Sequence, residues 1–171
     1  MAAVSAPPAP VLEPAAQQLA EQADPHPRLY EMPPERGRAL LHQLQAGDGV
    51  RKPEIDEQWA DVDAGKWGIV RTRIVRPKGA TGTLPVFLYI HGGGWVLGDT
   101  GTHDRLVREL AVGSGAAAVF PSYHLAPEAK YPAQIEQNYA VARWIMHEGA
   151  HHALDPSRLA VYRGRARRAQ G

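Results

Sequence analysis

An α/β fold, a mostly parallel sheet with helices on both faces, is predicted by three observations. From Trp67 the chain takes up a period of two, in GIVRTRIVRP. Two nearly continuous apolar runs rich in β-formers follow, LPVFLYIH and AAAVFPSY. Between and after these runs, apolar residues recur at helical spacing. Strand, helix, strand, helix, strand lays parallel strands side by side, because each helical crossover returns the chain to the same end of the sheet in a right-handed sense.

The elements follow in order. Residues 1–14 carry Pro7, Pro8, Pro10 and Pro14 among alanines, too little apolar surface to order themselves, and read as a flexible leader. Pro14 opens a short helical stretch, PAAQQLAEQA, and Pro34 a second in which Leu40, Leu41 and Leu44 share a face. Residues 15–50 are thus a helical segment ahead of every strand, and residues 51–161 hold the sheet. In the first strand Val70, Thr72 and Ile74 alternate with Arg71 and Arg73, as expected with one wet face, until Pro77 ends it. LPVFLYIH suits a strand covered on both faces and stops at glycines. A helix follows with Leu106, Val107, Leu110 and Ala111 on one face, Thr102 available as N-cap, and Gly113 and Gly115 at its end. AAAVFPSY is the next buried strand. Pro132 starts the best-patterned helix, with Ile135, Tyr139, Ala142 and Met146 at helical spacing as far as Gly149. Asp155 and Pro156 turn the chain into RLAVY, a last short strand.

The chain's 171 residues, 44% hydrophobic and 22% charged, are those of one globular domain. The absence of cysteine excludes a disulfide scaffold, a thiolate metal site and a cysteine nucleophile, and fits a reducing, cytoplasmic compartment. No apolar run approaches the ~20 residues of a transmembrane helix, and the opening MAAVSAPPAPVLEP lacks the basic and apolar regions of a secretory signal. The net charge of +1 conceals an asymmetry. Setting aside Arg163, Arg165, Arg167 and Arg168 leaves 15 basic residues against 18 acidic ones, a body of charge −3 with a basic tail at 162–171. That tail has one aromatic and no nucleic-acid-binding module upstream, so no nucleic-acid partner is expected.

The chemistry concentrates in His91-Gly92-Gly93-Gly94-Trp95, directly after the buried strand LPVFLYI. Three glycines let the backbone turn through conformations closed to other residues and point N–H groups into a cavity. Such donors form an oxyanion hole when aimed at the charge developing on a carbonyl oxygen; the alternative is a plain glycine turn at a strand end.

The surrounding text resembles the α/β hydrolases of the hormone-sensitive-lipase type, a family of carboxylesterases and acetyl hydrolases with an HGGG segment. The matching stretch runs from about Ile69 to Val161 and carries HGGGW, LAPE, YP and DPSR in order. The resemblance implies hydrolysis of a small carboxylic ester through a serine acyl-enzyme, without cofactor or metal. It implies that the N–H groups of Gly93 and Gly94 form the oxyanion hole, that Gly92 shapes the loop, that His91 braces it, and that Trp95 lines the substrate pocket or simply packs in the core. Glu128 in LAPE corresponds to a glutamate anchoring its loop by hydrogen bonds, and His124 stands where many members have arginine. The N-terminal helices fall where this family builds part of a lid. Asp99 and Asp104 read as caps for the helix after the loop.

The same resemblance exposes a departure. A serine hydrolase of this fold needs its nucleophile on a strained strand-to-helix turn, G-x-S-x-G, with an acid and a histidine later in the chain. Ser114, in VGSGA, has Val112 and Ala116 where both glycines belong; Ser5, Ser122 and Ser157 lack the elbow context as well. Where Gly-Asp-Ser-Ala-Gly-Gly is expected after RLAV, the chain reads Tyr162-Arg163-Gly164-Arg165-Ala166-Arg167. An abrupt change to an Arg/Gly/Ala string reads as a shifted or truncated frame, since glycine-rich codons of a GC-rich gene read out of phase give arginine and alanine. The expectations are a partial hydrolase fold, little turnover by this polypeptide, and self-association through a sheet edge left unpaired at RLAV. A non-catalytic binding module on the same scaffold is the alternative, and amidase or acetyl-transfer chemistry shares the same loop. His151-His152 with Asp155, or His103 with Asp104, lacks metal-ligand spacing, and neither a P-loop nor a dinucleotide fingerprint is present.

Overall fold

The computed structural model describes residues 12–23, 27–46 and 51–164. Most of the leader and of the basic tail therefore lies outside the described residues. Two helices, α1 (Pro14–Ala23) and α2 (Pro34–Gln45), precede β1 (Ile55–Asp63) and β2 (Ile69–Pro77). Then come β3 (Leu84–Ile90), α3 (Asp104–Ser114), β4 (Ala117–Pro121), α4 (Ala133–Glu148) and β5 (Leu154–Arg163).

The five strands form one sheet in the order β1-β2-β4-β3-β5. The sheet is mixed rather than mostly parallel: β4-β3-β5 is its parallel half, while β1-β2 and β2-β4 pair antiparallel. The parallel half is the one built by crossover helices, as the strand-helix alternation requires. β1 went unrecognised in the sequence because IDEQWADVD is an outer strand of largely exposed acidic residues, a composition that discourages edge pairing and hides the strand pattern.

Two apolar clusters flank the sheet. On one side Val70, Ile74, Val86, Leu88 and Val119 pack against Val141 and Ile145 of α4; on the other Val75, Tyr89 and Phe120 pack against Val107 and Ala111 of α3. Gly115 ends α3 at a left-handed φ of 65°, the conformation that glycine adopts without steric penalty.

Three local expectations change. Arg73 belongs to no wet face: it is 5% exposed, held between Glu57 and Asp104. Asp104 does not cap α3, whose N-cap position is His103 and carries no side-chain cap; its carboxylate instead takes Arg73, Arg108 and Lys52. Asp99 and Thr102 hold each other in the preceding turn. The third change concerns α4, where Ile135, Tyr139 and Met146 face outward. Its buried face includes Gln134, Gln137, Asn138, Val141 and Ile145, and Gln137 is tolerated there because it bonds the Trp67 carbonyl and the His124 amide.

Candidate active site

β3, covered on both faces, delivers the chain to His91 at a fixed place on the sheet. His91 is 3% exposed and lies flat against Tyr123, with ring centroids 4.3 Å apart and planes 9° from parallel. The Tyr123 hydroxyl donates to the His91 carbonyl at 2.9 Å, and His91 Nδ1 donates to the Gly92 carbonyl at 2.8 Å, which assigns the proton to Nδ1. Burial pushes the imidazole down to about 4, partly offset by the Gly92 bond. His91 is therefore neutral near pH 7, and its polar contacts are with the Gly92 carbonyl and the Tyr123 hydroxyl.

The backbone then reverses. Gly93, Gly94 and Trp95 have φ of 128°, 66° and 65°. A side chain at Gly93 is impossible as the loop stands, since its Cβ would lie 2.0 Å from the Leu97 carbonyl oxygen. The Gly93 carbonyl accepts from the amides of Val96 at 3.2 Å and Leu97 at 2.9 Å, closing a tight turn. Among the described residues, the N–H groups of Gly92, Gly93, Gly94 and Trp95 have no acceptor. Gly94 is exposed and Gly92, Gly93 and Trp95 are half-buried, so these N–H groups are open to an acceptor from outside the loop.

A cavity of about 780 Å³ opens beside the loop, with Gly92 and Gly93 in its wall, leucines 29, 41, 97 and 106 around it, and Tyr89 and Tyr162 stacked at 5.2 Å. Trp95 lies outside this wall. Its ring meets Tyr123 edge-on at 5.2 Å and carries the Arg163 guanidinium at 5.5 Å, so among the described residues it packs beneath the loop. Gly164 donates to the Ile90 carbonyl at 2.9 Å, and a Cβ there would come within 2.9 Å of the Gly92 nitrogen. The segment expected to carry the elbow thus runs against the glycine loop. Arg165 itself lies outside the described residues.

Glu128 anchors its loop through a partner the sequence did not reveal. Arg38 of α2 grips both Glu128 oxygens, at 2.8 and 2.9 Å, and holds the carboxyl down at about 2. No spacing rule links residues 90 apart in sequence; only the fold brings them together. Ser122 gives its N–H to the Arg71 carbonyl at 2.9 Å, one residue before Tyr123. Ser114 sits at the end of α3 with its hydroxyl on the Leu110 carbonyl, and Ser157 sits in the Asp155 turn, so neither meets the loop. His103 packs tilted on His91 at 5.2 Å. His152 bonds Gln58, and no group of three potential ligands converges among the described residues.

A family model described as alpha/beta hydrolase fold matches residues 87–162. Carboxylesterase NlhH of Mycobacterium tuberculosis is 39% identical over 127 residues, covering 74% of this chain and 40% of that protein. A thermostable esterase from Pseudomonas putida superposes with a TM-score of 0.75 at 40% identity, over 87% of this chain and 46% of its own. The chain has the α/β hydrolase fold. An esterase from Pyrobaculum calidifontis gives a TM-score of 0.78 at 32% identity, over 90% of this chain and 48% of its own. The chain therefore spans less than half the length of these relatives. No described helix is long and apolar enough to cross a membrane.

Proposed function

We propose that this chain supplies the oxyanion side of a carboxylic ester hydrolase site. The observation that carries the reading is the row of N–H groups from Gly92 to Trp95 that have no acceptor among the described residues, opening at Gly92 and Gly93 onto a leucine-lined cavity. Gly93 and Gly94 donate to the carbonyl oxygen as it gains negative charge, Gly92 shapes the turn, and His91 holds it from behind. These donors are fixed before the substrate arrives, so they stabilise the tetrahedral species without reorganising. The leucines favour a small apolar acyl or alcohol group, and residues 15–50 serve as a cap, with Leu29 and Leu41 in the cavity wall.

A serine acyl-enzyme needs a nucleophile elbow, and these residues read Arg163-Gly164-Arg165 at that point. As written, the polypeptide binds an ester without efficient turnover, because loss of the nucleophile leaves only what binding and the oxyanion hole supply. That reading also covers a binding module on a hydrolase scaffold. The Arg/Gly/Ala string is accounted for by a shifted frame in a gene whose product continues with an elbow. The composition, free of cysteine, supports a cytoplasmic setting, and the exposed Val161 and Tyr162 on outer strand β5 support self-association at that edge.

A fluorophosphonate probe tests this by covalent labelling of activated serines. The 171-residue polypeptide is expected to remain unlabelled, and the product isolated from source cells to have a larger intact mass and to label once. Stoichiometric labelling of Ser114, Ser122 or Ser157 in the 171-residue chain would overturn the reading.

A further inference from the structure

We propose that Arg38 is a positioning residue for the glycine loop, locking its shape from the cap side; the functional part of this inference rests on the oxyanion reading above. The Arg38 guanidinium reaches two separate segments, at Val96 and at Ala126–Glu128. Its Nε donates to the Val96 carbonyl at 2.8 Å, Nη2 donates to the Ala126 carbonyl at 2.8 Å, and both terminal nitrogens hold Glu128. A planar fork of five donors serves four acceptor oxygens at once, which an ammonium cannot reproduce.

These bonds close a ring around the loop. Val96 gives its N–H to the Gly93 carbonyl and its carbonyl to Arg38. Ala126 gives its carbonyl to Arg38 and its N–H to the Trp95 carbonyl at 2.8 Å. The two ends of the strained stretch from Gly93 to Trp95 are thereby fixed to one guanidinium, and Glu128 orients that guanidinium without touching the loop. Three consecutive residues at positive φ persist only where their surroundings over-determine them. Helix α2 is seated close against the loop: a Cβ at Gly37 would stand 3.4 Å from Leu97, and His42 pairs with Asp99 farther along the same segment.

Site-resolved hydrogen exchange on the full chain tests the inference, comparing the parent with Arg38→Ala, Arg38→Lys and Glu128→Gln. The amides of Val96 and Leu97, which close the turn onto Gly93, are expected to exchange about tenfold faster in Arg38→Ala, as loss of a charged hydrogen bond implies. Those of Leu88 and Val119 in the sheet should keep their protection. Arg38→Lys should not restore the parent rate. Glu128→Gln should give a smaller increase, since the carbonyl bonds remain, and it carries the test should Arg38→Ala fail to fold. Equal acceleration of loop and sheet amides, or none at Val96 and Leu97, would overturn the proposal. Titration of the parent with butyrate, read at the Gly93 and Gly94 amides, distinguishes the two ideas: no shift there defeats the oxyanion reading and leaves the exchange result standing.

Discussion

Replacing Gly93 by alanine separates a built loop from an incidental turn. The added Cβ would meet the Leu97 carbonyl oxygen at 2.0 Å, well inside any tolerable contact, and the neighbour is backbone that cannot rotate away. The φ of 128° is also a conformation that alanine avoids, at a cost of ~1–3 kcal/mol. Relief requires the turn to open, forfeiting the bonds from Val96 and Leu97 to the Gly93 carbonyl, each contributing about 0.5–1.5 kcal/mol. The local cost is therefore roughly 2–6 kcal/mol by those principles. Gly94→Ala is the control. It has the same kind of strain at φ 66° but nothing within 4 Å of the new Cβ, so about 1 kcal/mol is expected. Urea unfolding gives the global change, and exchange of the Val96 and Leu97 amides gives the local one. Gly93→Ala should expose the loop amides far more than Gly94→Ala, with the sheet amides unmoved. Equal behaviour of the two variants would refute the claim that the turn is closed by contact at Gly93.

Three further outcomes follow from buried groups and from the sheet edge. Burial holds His91 at about 4, below its ordinary 6.5, so in the window between them the unfolded chain binds the proton and the folded one does not. Stability at pH 7 is thus expected to fall as pH drops from 6.5 to 4, by up to about 3 kcal/mol, and a His91→Gln variant should lose that slope in urea titrations. For Asp104, burial alone would raise the carboxyl, but hydrogen bonds from Arg108, Arg73 and Lys52 outweigh it and hold it at about 2. Its contribution is present above the ordinary 3.8 and lost as pH falls through 2. At pH 7 Asp104→Asn should cost about 2–4 kcal/mol, because it strips a partner from buried Arg73; a cost under about 0.5 kcal/mol would contradict the network. On outer strand β5, Val161 is 62% exposed, and Val161→Lys should lower self-association in sedimentation velocity, whereas unchanged association excludes that edge.

The parts of this molecule legible from sequence are those where burial is one-sided or complete. LPVFLYI and AAAVFP announce strands because both faces are covered, and the HGGGW text that follows marks the loop because only glycine reaches its backbone angles without strain. What stayed hidden depends on partners distant in the chain. Arg73 looks like an alternating wet residue until Asp104, 31 positions later, folds over it. The buried face of α4 carries Gln137 and Asn138, which no hydrophobic period selects, while its apolar Ile135, Tyr139 and Met146 look outward. The resemblance implies a bracing role for His91, yet Tyr123 and Arg38, which bond the His91 and Val96 carbonyls, have no signature near the loop.

The central claim, that the loop's backbone N–H groups receive a carboxylic oxygen, is tested most directly by titrating the ¹⁵N-labelled chain with butyrate and following each amide. Saturable shifts at Gly93 and Gly94, lost in Gly93→Ala and weakened in Arg38→Ala, are the expected result. Shifts absent from these two amides, or confined to exposed basic residues such as Arg163, would contradict it.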